Sequence, residues 1–369
     1  MILILGHFPD RENEQEGMVQ RISAIDNLLS SFERTYIATP KIFDTAHKIK
    51  HPLKWMFGKL QSVKQVVDHK VTVFRKIDER TLGVLMAEAQ AIYIHSLYFL
   101  QNIPPDLLQK HGAKTFLDIH GCVVEETIQM QWRAKEITAL SRAEENAFQH
   151  IGHLITVSDK MAAFYKTKYA PRGSFYILPI FSNQQCSRPR KPNAGSKPTI
   201  IYSGGTQIWQ NVERMVSTIS ETIHKYTYLV VTPSIEVFES MLEHEVRENM
   251  TIVSVPKKEV ANYYAQADFG FVLRDDNIVN AVSCPTKIIE YIQNGIVPVV
   301  LQPEIGDFNS MGYSYVLNET LLRGDLPLQN EIEEMRIKND KVMQRMAQKR
   351  TEAQAKLLAA IQSLFGFKE

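Results

Sequence analysis

The sequence predicts an α/β protein of two Rossmann-like domains, each a parallel sheet with helices on both faces, with a cleft between them and a long C-terminal helix. Three observations carry this. Apolar strand-like runs alternate with helical patterns from the first residues onward, as in a doubly wound sheet. The alternation stops at a polar, proline-bearing stretch from Phe181 to Pro198 and then restarts, as two domains joined by a linker would. The last segment, about 328–365, is amphipathic and has no strand to return to, so it is expected to pack across both domains. At 369 residues the chain is long enough for two cores of ordinary size.

In chain order, the first domain is expected to hold strands at 2–5, 71–75, 91–95, 115–119, 153–157 and 174–178, with its clearest helices at 18–30, 123–149 and 158–167. The second should hold strands at 199–203, 227–232, 251–254, 268–273 and 297–301. Boundaries follow at 1–182, 198–345 and 346–369. Ligands of open α/β sheets bind beyond the carboxyl ends of the strands, which points to the cleft as the site.

The run from Cys284 to Val300 is the most informative part of the chain. It reads as a helix opened by Pro285 at its first position, closed by Gly295 and followed by an apolar strand. Ser283 is placed to cap it. The first turn, with Thr286, then offers free amides, the positive end of the helix dipole and the ammonium of Lys287, which together suit a diphosphate. Glu290 is one turn on, on the same face, where it can accept from ribose hydroxyls. At the other end of this domain, Ser203-Gly204-Gly205-Thr206 lets the backbone approach a phosphate without a Cβ in the way; a plain tight turn is the alternative. Arg274 ends strand 268–273 and leads into the Pro285 helix, so it is placed as a second cation for the diphosphate or as part of a solvated loop. No G-x-G-x-x-G fingerprint follows Leu5 or Ser203, which argues against an NAD enzyme.

In the first domain, strand 115–119 delivers Asp118 and then His120, followed by Gly121. An acid and an imidazole at a strand's carboxyl end suit orientation of, or proton exchange with, a hydroxyl; a structural histidine is the alternative. His95 and Ser96 end strand 91–95 in the same way, and Gly17 heads helix 18–30 as another potential cluster of amides.

Composition narrows the classes. Hydrophobic residues at 44% and charged residues at 22% are those of a soluble globular protein. A formal net charge of +1 provides no global attraction for nucleic acid, and none is expected as a partner. Cys122, Cys186 and Cys284 form no C-x-x-C pair, so neither a disulfide framework nor a zinc site is expected, and a reducing cytoplasm fits. The N-terminus lacks a basic leader, and no run reaches the roughly 20 apolar residues of a membrane span. Segment 41–76 is locally basic, with Lys50, Lys54 and Lys59 interleaved with Trp55, Met56 and Phe57. It reads equally as a helix docking on anionic membrane or as a solvated helix with a buried stripe.

Together these runs resemble the GT-B-fold glycosyltransferases, especially the large retaining group that uses nucleotide sugars to build bacterial polysaccharides. The likeness rests on Ser203 through Asn211, Ala267 through Arg274 and Pro285 through Val300. In the first domain it rests on Asp118-Ile119-His120-Gly121 and Leu154 through Met161. It implies that the second domain holds a nucleoside-diphosphate sugar through Gly204, Gly205, Arg274, Thr286, Lys287 and Glu290. It also implies that the first domain binds the acceptor, and that the final helix crosses back to that domain. The activity implied is hexosyl transfer, with retention, to a glycan or lipid-linked glycan in bacterial surface polysaccharide biosynthesis. His120, Asp118, Arg274 and Lys287 would be catalytic, with no cofactor and no obligatory metal, in the cytoplasm or peripherally on the inner face of the membrane. Two departures stand out. Val282 occupies the place of a second glutamate, eight positions before Glu290, and Gln207-Ile208-Trp209-Gln210 replaces a loop that often carries a basic residue. A GT-B sugar-nucleotide epimerase and a non-catalytic binding subunit are therefore the alternatives.

Overall fold

The computed structural model describes residues 1–9, 17–38, 42–43, 63–180, 197–248 and 250–366. The chain divides into two compact units, Met1–Pro179 with Lys349–Glu369, and Ile180–Gln348.

The first unit is built on a sheet of β1 (Ile2–Leu5), β2 (Arg34–Ile37), β3 (Ile42–Phe43), β4 (Val63–Val66), β5 (Val71–Asp78), β6 (Ala91–His95), β7 (Thr115–Ile119), β8 (His153–Thr156) and β9 (Ser174–Ile177). Their order is β3-β5-β2-β1-β6-β7-β8-β9, and β4 pairs antiparallel with β5. Strands β1, β6 and β7 are buried along their whole length; β1 is wholly apolar, whereas β6 ends in His95 and β7 carries Thr115 and Asp118. Ile2, Ile4, Ile22, Tyr93, Phe116 and Ile155 share one core with Ala353, Leu357 and Ile361, one stripe of the helix Gln329–Leu364. Truncating Leu357, at 1% exposure, to alanine would cost about 2–5 kcal/mol.

The second unit has β10 (Thr199–Ser203), β11 (Thr227–Val231), β12 (Met250–Val253), β13 (Phe269–Val272), β14 (Val297–Val300) and β15 (Val316–Leu317) in the order β12-β11-β10-β13-β14-β15. Every pairing is parallel. Ile332, near the start of the same final helix, lies in this unit's core with Ile200, Met215, Phe269 and Val299.

Three expectations change. The helix expected over 123–149 is two helices, Val123–Gln129 and Ala134–His150. The break is closed by Trp132 N donating to the Thr127 carbonyl at 3.0 Å, with Gln131 at φ 54°. Strands β2, β3, β4 and β15 were not expected, and β2 opens on an arginine. Arg34 is buried there by an ion pair with Asp26 at 2.8 Å and by hydrogen bonds to the Leu29 and Phe32 carbonyls. The basic segment 41–76 is not one helix: Lys64, Lys70, Arg75 and Lys76 belong to the β4–β5 hairpin. Residues 44–62, with Lys50, Lys54, Trp55 and Lys59, lie outside the described residues.

Candidate functional site

In the second unit, β10 pairs with β11 on one side and β13 on the other, so the strand order reverses there. In open α/β sheets ligands bind at such a reversal, beyond the carboxyl ends of the strands, here β10 and β13. The chain leaves β10 through Gly204 and Gly205, and β13 through Arg274. The helix Thr286–Gln293 lies against these strands because Gly270, in β13, leaves room for Tyr291. A Cβ at 270 would stand 2.5 Å from that ring. The Tyr291 hydroxyl accepts from Ser203 N at 3.1 Å, tying the helix to the end of β10.

This docking brings Lys287 inside, at 8% exposure. Its ammonium donates to the Tyr202 hydroxyl at 3.1 Å and lies 4.5 Å from the centroid of that ring. Gly204, at φ 150°, adopts a conformation suited to glycine, and a Cβ there would meet Lys287 Nζ at 2.3 Å. Burial, and then the neighbouring Arg274, lower the Lys287 pKa to about 7, with Glu290 opposing them in part. Arg274 is also buried and donates to Asn280 Oδ1 at 3.0 Å. Asn280, fully buried, is fixed in turn by its side-chain amide donating to the Asp275 carbonyl and by its backbone N–H donating to Asn277 Oδ1. Glu290 is half-buried and accepts from the Tyr264 hydroxyl at 2.9 Å.

Thr286 is the first residue of its helix, and Pro285 is the cap rather than the first helical position. Ser283 does not cap it as expected. Its hydroxyl instead donates to the Asn280 carbonyl at 2.9 Å, and no side chain caps the first turn. Three segments of the second unit thus bring Gly204, Gly205, Arg274, Thr286, Lys287 and Glu290 to this end of the sheet. Such a set can hold a diphosphate on cations and amides, with a carboxylate beside it for hydroxyls.

In the first unit Asp118 is fully buried and accepts from Arg21 Nε at 2.8 and 3.0 Å, from Arg21 Nη2 at 2.6 Å and from the Tyr93 hydroxyl at 2.5 Å. Burial alone would raise its pKa. Arg21 and the hydrogen bonds, His95 among them, outweigh burial and hold it well below the usual carboxylate range. Asp118 is thus a buried anchor for Arg21, Tyr93 and His95. His95 Nδ1 is 3.5 Å from Asp118, and the His95 ring lies 4.7 Å from that of His120. His120 follows β7 directly. Its Nε2 is enclosed and makes no hydrogen bond, and burial, with His95 next, lowers its pKa to about 3. A neutral imidazole there can exchange hydrogen bonds with a hydroxyl but does not act as a cationic acid. Gly17 begins the first helix, and the loop before it lies outside the described residues.

Sequence reasoning missed Tyr202, Tyr264, Tyr291, Asn280 and Arg21. The tyrosines lie in runs that read as ordinary core, and nothing local marks Arg21 as the partner of a residue 97 positions away. Among the described residues no group of three or more His, Cys, Asp or Glu side chains is arranged to hold a metal, and no helix is long and apolar enough to cross a membrane.

At the level of sequence, no protein-family model and no curated protein matches this chain. Solved structures do match. Sucrose-phosphate synthase from Thermosynechococcus elongatus is similar over 99% of both chains, at 12% identity and a TM-score of 0.66. The α,α-trehalose 6-phosphate synthase of Burkholderia multivorans covers the same shares at 8% identity and a TM-score of 0.63. WaaG, a glycosyltransferase involved in lipopolysaccharide biosynthesis, is similar over 98% of this chain and 99% of its own, at 12% identity and a TM-score of 0.60. The chain therefore has the GT-B fold, as its sequence led one to expect.

Proposed function

We propose that this protein is a glycosyltransferase that moves a sugar from a nucleoside-diphosphate sugar to a hydroxyl acceptor. The observation that carries the reading is the buried Lys287 ammonium, held against the Gly204–Gly205 turn at the point where the strand order reverses. As the bond between the sugar and the diphosphate breaks, negative charge grows on the leaving phosphate oxygen. Lys287, Arg274 and the amides near Gly205 and Thr286 would stabilise it there, fixed in place before the reaction begins. Glu290 would accept from the ribose hydroxyls. His120, neutral and with an enclosed Nε2 that makes no hydrogen bond, would orient a sugar hydroxyl. Similar folds carry names such as sucrose-phosphate synthase and trehalose-phosphate synthase, which supports sugar transfer as the class.

The finer reading is hexosyl transfer with retention, to a glycan or lipid-linked glycan of a bacterial surface polysaccharide, without an obligatory metal or cofactor. We place the work at the cytoplasmic face of a membrane, with segment 41–76 docking on anionic lipid. Liposome sedimentation that weakens with salt and with charge reversal of Lys50, Lys54 and Lys59 supports that docking, and no binding at low salt removes it. One observation favours a second reading. Val282 is buried and apolar at 3% exposure, where the resemblance leads one to expect a carboxylate, which suits a non-catalytic donor-binding subunit. Thermal shift and calorimetry with a panel of nucleoside-diphosphate sugars test binding, and donor hydrolysis tests turnover. Binding without hydrolysis or transfer selects the subunit; no binding by any donor refutes both.

A further inference from the structure

A tyrosine, a lysine and a glycine turn interlock in the second unit more closely than core packing alone requires. Tyr202 is 1% exposed, with its ring beside Phe238, a place that a phenylalanine would fill as well. Its hydroxyl nevertheless accepts from Lys287 Nζ and donates to the Gly205 carbonyl oxygen. Its ring also lies beneath the same ammonium, at 4.5 Å. On the other side the ammonium fills the space that the missing Cβ of Gly204 leaves. An added Cβ would stand 2.3 Å from Nζ, 2.4 Å from Cε and 3.5 Å from the Tyr202 hydroxyl.

We propose that Tyr202 is a positioning residue of the donor site: its ring and hydroxyl hold the Lys287 ammonium against the Gly204–Gly205 turn, so that cation and turn meet a diphosphate as one preformed surface. The inference rests on the donor reading above and adds a residue to it. Lysine carries its charge on a flexible four-carbon stem, so burial of the stem alone does not fix where the charge lies. Arg274 is near enough to disfavour a second cation, and that repulsion works against the observed placement. The π face and the hydroxyl of Tyr202 are the groups in contact with the ammonium that favour it. Through Gly205 the same hydroxyl fixes the turn, so one side chain sets both halves of the anion surface.

The titration arm of the test does not depend on the donor being known. Lysine Cε and Nζ resonances are followed against pH in the wild type, Y202F and Y202L, with K287R identifying the Lys287 signal. Y202F should lower the Lys287 midpoint by about half a pH unit to one unit, since a hydrogen bond to the charged form is lost, and Y202L should lower it further by removing the ring as well. Affinity for UDP-glucose at pH 7 should fall in the same order, by about threefold to tenfold for Y202F, while its melting temperature stays close to that of the wild type. A midpoint unmoved in Y202F, with donor binding intact, makes Tyr202 a core residue only and overturns the inference. Shifted midpoints in a wild type that binds none of a panel of nucleoside-diphosphate sugars would overturn the donor reading and leave the Tyr202–Lys287 coupling standing. If Y202L fails to fold, Y202F alone decides.

Discussion

Donor binding should take up a proton, and its affinity should fall as pH rises above about 7. The perturbation is pH, varied from 6 to 9, and the group responsible is Lys287, whose pKa in the ligand-free protein is about 7 because it is buried and next to Arg274. The phosphates of a nucleoside-diphosphate sugar stay ionised across this range. A single negative charge about 4 Å from the ammonium is worth about 4 kcal/mol at an effective dielectric of 20. That raises the lysine by about 3 units, to about 10, close to its ordinary range, since one unit corresponds to about 1.4 kcal/mol. Free protein then binds fewer protons than the complex between pH 7 and that range, so affinity declines with rising pH. At pH 8 about one free molecule in eleven has the charged lysine, and affinity should be about tenfold below its low-pH plateau. At pH 9 the loss should be about a hundredfold. Calorimetry in buffers of different ionisation enthalpy reads the proton directly, about 0.5 per donor at pH 7 and about 0.9 at pH 8. The reasoning is refuted if wild-type affinity is flat from pH 6 to 9 with no proton uptake, or if K287M binds the donor with the same pH profile.

Three further outcomes are expected. Glu290→Ala should weaken donor binding by about 1.5–3 kcal/mol, the value of a hydrogen bond to a charged group, with the fold intact; unchanged affinity by calorimetry ends the ribose assignment. His120→Ala should cut transfer by about 10²-fold or more at saturating donor while nucleoside-diphosphate affinity stays nearly constant; a lowered melting temperature with normal turnover makes His120 structural. Arg21→Met leaves the Asp118 carboxylate buried without its counter-charge and should cost about 3–5 kcal/mol in denaturant unfolding, much of it recovered by the further change Asp118→Leu. Because the folded-state pKa of Asp118 is depressed, the stability this pair contributes is present above the ordinary carboxylate range and lost as pH falls from that range down through the depressed folded-state value. A cost under about 1 kcal/mol for Arg21→Met would contradict the pairing.

The central strands of both sheets were legible in the sequence because parallel strands buried on both faces leave mostly apolar runs. β6, β7 and β10 lie at the expected residues, 91–95, 115–119 and 199–203. The final helix, expected over about 328–365, spans Gln329–Leu364. What failed was whatever depends on a distant partner. Arg34 looks unsuited to a buried strand until Asp26 is seen beside it. The break at Gln131 carries neither proline nor glycine to announce it. In the candidate site, the glycine turn, the two cations and Glu290 were visible because their residue types and spacing are local signals. The degree to which Lys287 is buried was not, since it follows from Gly270 admitting the Tyr291 ring and drawing the helix onto β13. Nor could spacing distinguish Asp118 as an anchor from Asp118 as a reacting group. Only the three-dimensional neighbours Arg21 and Tyr93 do so.

The buried charges around Asp118 and Glu144 differ from those at the candidate donor site. In the first unit, Asp118 meets Arg21, and Glu144, 1% exposed, accepts from Lys168 at 2.6 Å and from the Tyr169 hydroxyl at 2.6 Å. Charges matched in this way hold the fold and leave little to attract a ligand. In the second unit, Lys287 and Arg274 are neighbouring cations, both at 8% exposure, and the influence of Glu290 on Lys287 does not offset burial and Arg274, so the charged form of the lysine is disfavoured. A domain selected for stability alone would be better served by an apolar side chain at 287, so K287M is expected to raise the melting temperature of the ligand-free protein. Between pH 7 and the ordinary lysine range the unfolded chain binds more protons at this position than the folded one, so this penalty shrinks as pH rises and the gain from K287M should be largest at or below neutral pH. An anionic ligand reverses the balance by placing negative charge beside Lys287, and the wild type alone should then gain stability on adding donor. The same substitution is thus expected to stabilise the empty protein and abolish its response to ligand. A K287M protein less stable than the wild type at neutral pH would mean that the lysine is held for packing, and the anion-site argument would lose its electrostatic basis.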